Sequence, residues 1–267
     1  MLTCSGVSVG VVGRVLVRDL SFNLAEGDVV CMLGPNGVGK TLTLHTLAGL
    51  RPPGKGSISL GSDEIARLRR RQIAQRLGLL LQDDAETFPA TVLGTALMGR
   101  HPHLTGPAAE SPDDLARARA ALRGMGLGNF ENRLVSTLSG GERRRLALAR
   151  LLTQDPAVLL LDEPVNHLDP RYQIAVLEQV RSLAHAGRGV IMTLHDPCLA
   201  MQYSSHALLL FTDGTWLLDT TRAALTPGNL ARLFDAPYDE YANSRGDVAL
   251  LPGAVGAPTG AMDIDRA

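Results

Sequence analysis

The chain has 267 residues, enough for one large domain or two modest ones with a real core. Hydrophobic residues make up 45% and charged residues 20%, and a formal net charge of −1 argues against nucleic acid as the main partner. No apolar run reaches the length of a membrane span, and Cys4, Cys31 and Cys198 are too scattered for a disulfide framework or a metal knuckle. The N-terminus also lacks a basic-then-apolar secretion pattern, so a cytosolic protein is expected.

In chain order, short apolar runs alternate with longer helix-like stretches, the pattern of an α/β fold with a largely parallel sheet. The first such run, VVCML (29 to 33), leads into GPNGVGKT (34 to 41) and then a helical stretch. LGLLL (77 to 81) precedes Gln82, after which the composition turns to Ala, Arg and Leu as far as about Gln154. This reads as a helical insertion between two parts of the sheet domain. Within it, Ser111, Pro112 and Asp113 predict an N-cap, a first-turn proline and a favourable charge for a helix running to about Gly124.

STLSGGERRRLALAR (136 to 150) follows, a basic helix opened by a serine and two glycines and therefore a ready anion site. AVLLL (157 to 161) and VIMTL (190 to 194) are apolar on both faces, as buried parallel strands are, and run into DEP and HD. A helix is framed between them by Asp169 and Pro170 at its start and Gly187 past its end. ALLLFTDGTWLLD (207 to 219) predicts a hairpin turning at Asp213 and Gly214, and the last twenty or so residues are expected to be partly loose.

Ligands of open α/β sheets bind beyond the carboxyl ends of the strands, so the polar segments after these runs should converge. GPNGVGKT fits the phosphate-loop pattern in full. Gly34, Gly37 and Gly39 let the backbone wrap phosphate oxygens, Lys40 brings a cation to the β- and γ-phosphates, and Thr41 offers a hydroxyl to Mg²⁺. Asp162 is placed to hold that ion and Glu163 to orient or deprotonate an attacking water. His195 and Gln82 end their own strands and complete a hydrolysis site from separate parts.

These pieces, with LSGGE (138 to 142), NHLD (166 to 169) and LHD around His195, resemble the ATP-binding-cassette (ABC) ATPases in content and order over about residues 1 to 240. The resemblance implies a P-loop NTPase core of the RecA-like kind (1–82 and 156–220), with a small antiparallel β subdomain and a helical subdomain at about 83–155. A C-terminal tail then occupies 241–267. It implies ATP and Mg²⁺ as cofactors, with Glu163 as catalytic base, His195 at the γ-phosphate, and Gln82 at both the metal and the membrane partner. Gly34, Pro35, Asn36, Gly37, Val38, Gly39, Lys40, Thr41 and Leu42 form the ATP loop. Thr41, Gln82 and Asp162 serve the metal. Ser139, Gly140, Gly141 and Glu142 face ATP held by a second copy.

The implied assembly is a head-to-tail homodimer on two transmembrane permease subunits at the cytoplasmic face of the membrane, supplied by a periplasmic or extracellular binding protein, with no nucleic acid. FPATVLGTALMGRHPHL (88 to 104) and LTPGNLARLFDAPY (225 to 238) are most similar to importers of siderophore-bound iron, haem or cobalamin. Three positions depart from the family: Val11 replaces the aromatic residue that stacks on adenine, Leu42 replaces a second hydroxyl residue, and Glu142 stands where glutamine is frequent. Rival readings are an ABC exporter subunit, a non-transport ABC ATPase acting on nucleic acid or the ribosome, a P-loop nucleotide kinase, and a subunit gated by ATP with little hydrolysis. The arginine runs at 67 to 76 and 142 to 150 are read as solvated helix faces.

Overall fold

Strands that are apolar at every position need cover on both faces, and the central sheet supplies it. The computed structural model describes residues 1–81, 89–104, 110–242 and 248–253. An antiparallel sheet comes first, built from β1 (Leu2–Val11), β2 (Arg14–Leu24), β4 (Lys55–Leu60) and β5 (Asp63–Glu64) in the order β2-β1-β4-β5. The central sheet holds β3 (Val29–Leu33), β6 (Leu77–Leu80), β7 (Val158–Leu161), β8 (Gly189–Thr193), β9 (His206–Leu210) and β10 (Trp216–Thr220). Its order is β10-β9-β3-β8-β7-β6; all neighbours are parallel except the β9–β10 hairpin at the edge.

Alternate residues of each central strand enter different cores. Cys31, Leu159, Leu161, Val190 and Met192 point to the core shared with the helical region, whereas Val30, Met32, Val158, Leu160 and Ile191 point to the core beneath the antiparallel sheet. That period of two is the geometry of a pleated strand with both faces covered. It also explains why polar–apolar alternation is missing from these runs.

The first core-facing helix, α1 (Lys40–Leu47), follows the phosphate loop, and α2 (Arg70–Ala74) leads into β6. The helical region contains α3 (Val92–Leu97), α4 (Pro112–Gly124) and α5 (Gly140–Gln154). Ser111 caps α4 and Pro112 opens it, as the sequence predicts. Between the α3 end and α5 the approach is close enough that a Cβ on Gly99 would stand 2.2 Å from the Arg150 carbonyl oxygen. Further on lie α6 (Pro170–His185), α7 (Pro197–Tyr203), α8 (Thr221–Ala224) and α9 (Pro227–Phe234).

The expected break at residue 240 falls inside a hairpin. β11 (Tyr238–Ala242) pairs with β12 (Val248–Pro252), and Leu250 is 2% exposed in the main core, where Cys198 Sγ accepts its N–H at 3.3 Å. The polar, turn-rich composition around 243–247 masks this apolar anchor in the sequence. Burial holds the Cys4 thiol up to about 12 and pushes Cys31 up as well, which fits inert core cysteines.

Candidate functional site

Adjacent parallel strands bring their carboxyl ends to one place, and β3, β8 and β7 are neighbours in that order. After β3 the chain turns through Gly34, where a Cβ would meet Leu210 O at 2.7 Å and Val38 Cγ1 at 2.9 Å. The loop therefore wraps tightly around the Lys40 ammonium, which donates to Gly34 O at 2.7 Å and Pro35 O at 3.2 Å. Gly39 starts α1 with φ 109 and no side-chain cap, so the first N–H groups of that helix are left to a ligand. Asn36, Gly37, Gly39, Lys40, Thr41 and Leu42 line one wall of a cavity of about 530 Å³, and Glu163, Asn166, His167 and His195 line the other.

The carboxylates behind that wall are held from several sides. Asp162 is 1% exposed; its Oδ1 accepts from Thr193 Oγ1 at 2.8 Å, while its Oδ2 is buried with no hydrogen-bond partner. The Glu163 N–H donates to the same Thr193 hydroxyl at 2.7 Å, and the Glu163 backbone sits at φ 48. His195 Nε2 lies 2.8 Å from Glu163 Oε1, and Asn166 Nδ2 donates to Glu163 Oε2. Burial pulls the Lys40 ammonium below its ordinary range, against the opposing pull of Glu163 and Asp162. An anion entering this cavity beside Lys40 would favour its charged form.

The second glycine-bearing helix start is built differently. Ser139 caps α5 and accepts from Glu142 N at 3.3 Å, while Glu142 accepts from Ser139 N at 2.8 Å, a complete capping box. Ser139 and Gly140 are exposed, and Gly141 packs near the His167 carbonyl. Among the described residues lining the cavity, Ser139, Gly140, Gly141 and Glu142 are absent. The backbone hydrogen bond from Ser139 holds the Glu142 carboxyl below the usual range.

Other expected positions separate by role. Pro35 lends a carbonyl to Lys40, and Val38 is 5% exposed in the core beneath the antiparallel sheet. Leu42 reaches both the cavity and that core. Thr43 cannot replace a hydroxyl there, because it is fully buried and donates to Gly39 O at 2.9 Å. Val11 is 46% exposed, and Gln82 lies outside the described residues.

Asn166 and Thr193 were not singled out from sequence. Asn166 sits in the quoted NHLD and needed only a role; Thr193 is the lone hydroxyl closing an apolar run, a signal available in VIMTL. The arginine runs part company. Residues 67 to 76 keep their arginines exposed, whereas in the second run Arg144 and Arg145 are 8% and 6% exposed. The expected solvated face there is corrected: both guanidinium groups satisfy backbone carbonyls, and Arg145 lies 4.0 Å over the Tyr172 ring.

Comparison with known proteins bears on the family and the fold. The profile described as "ABC transporter" matches residues 17–166. The chain is 37% identical over 234 residues to the hemin import ATP-binding protein HmuV of Gloeobacter violaceus, covering 85% of this chain and 84% of that protein. It is 35% identical over 236 residues to the cobalamin import ATP-binding protein BtuD of Halobacterium salinarum, 88% of this chain but 59% of that one. Among solved structures, an inward-facing transporter described as of metal-chelate type superposes with a TM-score of 0.82 at 27% identity, covering 95% of this chain and 98% of its counterpart.

Proposed function

This chain belongs to the ABC transporter family, and from that premise we propose that it is the ATP-hydrolysing subunit of an importer for metal chelates of the haem, siderophore or cobalamin kind. The observation that carries hydrolysis is the Glu163–His195 contact of 2.8 Å, facing Lys40 across one cavity.

In this reading the phosphate loop and the open start of α1 bind the triphosphate, and Lys40 turns from its own loop carbonyls towards the β- and γ-phosphates. Thr41 and the unpartnered Oδ2 of Asp162 fit Mg²⁺ arriving with the nucleotide. Bound there, the ion would neutralise phosphate charge. Glu163 orients the attacking water and takes its proton as the water oxygen bonds to the γ-phosphorus and the bond to the ADP oxygen breaks. His195 and Asn166 fix the two carboxylate oxygens so that the base presents one face to the cavity.

The exposed α5 start supports a composite site. In a head-to-tail homodimer, Ser139, Gly140 and Gly141 would offer hydroxyl, N–H groups and helix dipole to the γ-phosphate bound by the other copy. ATP would then bind the closed dimer preferentially and drive two attached permease subunits, the chain lying at the cytoplasmic face of the membrane. A binding protein on the far side would deliver the chelate.

The test is phosphate release by the permease complex with Glu163→Gln, expected to fall by about 10²–10⁴-fold. An unchanged rate would remove Glu163 as base. Vesicle uptake of haem, a ferric siderophore and cobalamin tests direction and cargo; export without uptake of any of them would defeat the importer reading.

A further inference from the structure

Arg144 lies on α5 six positions into the sequence that begins at the Ser139 cap, yet its guanidinium does not serve α5. It donates to the carbonyl oxygens of Leu81 and Asp162, and to that of Glu163 at 2.8 Å. One buried group thus gathers the ends of two neighbouring strands, β6 and β7, and grips both peptide carbonyls that flank the Glu163 Cα. The other attachments of Glu163 come from the sheet and from the loop after it: Thr193 on its N–H, His195 and Asn166 on its carboxylate. Arg144 joins it to the helix that starts at Ser139.

We propose that Arg144 is a positioning residue that aims Glu163 from helix α5, so that the seating of the Ser139 end on one nucleotide sets the general base of the same chain for the other. This rests on the composite-site reading given above. The physical argument is rigidity: Arg144 is five positions beyond Ser139, about 7.5 Å of helix rise, and a packed helix transmits a shift over that span with little loss. Guanidinium suits the task because its planar fork of donors spans carbonyls on two strands and stays charged at any pH the enzyme meets. A lysine ammonium is too compact to hold all three.

Arg145 provides an internal control. It is equally buried, but donates to Met125 O at 2.8 Å and Gly126 O at 3.4 Å and stacks on Tyr172, away from the cavity lining. In the permease complex, Arg144→Lys is expected to lower kcat at least tenfold with the KM for ATP within twofold. Arg145→Lys should lower the thermal midpoint while kcat stays within twofold. Loss of thermal stability in Arg144→Lys with kcat unchanged would overturn the proposal.

Mixed dimers locate the effect. The reference carries Glu163→Gln in one copy only; the homodimer of Glu163→Gln checks the catalytic base separately, since wild-type turnover there would sink the base assignment rather than the Arg144 role. Placing Arg144→Lys in the copy that keeps Glu163 should reduce turnover at least tenfold below the reference. Placing it in the copy that already carries Glu163→Gln should leave turnover within twofold of the reference. The reverse pattern would mean that Arg144 supports the Ser139 end alone, and equal loss in both would mean a general structural role; either result rejects the proposal.

Discussion

Two helices begin with glycine-rich sequence, and they end up as opposites. At the start of α1 the cap is a left-handed Gly39 without any side-chain acceptor, and the N–H groups open into a lined cavity. At the start of α5 the chain satisfies itself through Ser139 and Glu142, and the end is exposed. The first has everything the proposed anion site needs within one chain. The second is a self-capped, exposed edge, which in the proposed head-to-tail dimer would present its hydroxyl and glycine N–H groups to the other copy. A similar composition signal therefore gives a cavity lining in one place and an exposed, self-satisfied helix start in the other, and the cap residue decides which.

That contrast can be broken most severely at α1. Lys40→Ala should lower both nucleotide affinity of the isolated chain and turnover, turnover by roughly 10²–10³-fold, since the phosphate-facing cation is lost. Titration with a fluorescent ATP analogue and phosphate release measure the two. Ser139→Arg should separate them: affinity of the isolated chain within about twofold, turnover of the assembled complex down by roughly 10²-fold. A large loss of binding in the isolated chain would show that the α5 start acts on its own nucleotide.

Smaller changes sharpen the comparison. Glu142→Ala removes half of the capping box, and thermal scans should register a loss of about 0.5–2 kcal/mol, a shift of a few degrees. Glu142→Gln keeps the hydrogen bond and should cost only the charge–dipole part, about 0.3–1 kcal/mol.

A related box at α4 is read through pH. There Asp114 accepts from the Ser111 N–H and from Arg100, and these bonds hold its carboxyl down to about 2 from the usual 3.8. A depressed acid stabilises the fold fully above 3.8 and loses that contribution as pH falls through about 2. Thermal midpoints should therefore drop between pH 4 and 2, and less steeply in Asp114→Asn.

The sequence was most legible where chemistry and secondary structure change at the same residue. Lys40, Asp162 and His195 each lie beyond the end of a largely apolar strand, and strand adjacency brings those ends together. Ser111 and Pro112 fixed the start of α4 because capping is a local interaction. Non-local facts stayed hidden. Arg144 and Arg145 read as surface because a guanidinium announces charge, while its buried carbonyl partners lie on residues 18 to 63 positions away. The β11–β12 hairpin was missed for a similar reason: its short apolar run VALLP (248 to 252) lies in a Gly-, Ala- and Pro-rich end of the sequence, and Cys198, the partner of Leu250, is 52 positions away.

Glu163 sits at φ 48, a left-handed conformation that glycine adopts freely and that a side chain with a Cβ resists. Holding it there costs on the order of 1–3 kcal/mol, which the surrounding contacts outweigh. The proposed chemistry and the fold therefore want different residues at this position. Under the general-base role proposed above, turnover requires a glutamate here at the expense of stability; a chain that only bound ATP could carry glycine at this position and be the more stable protein.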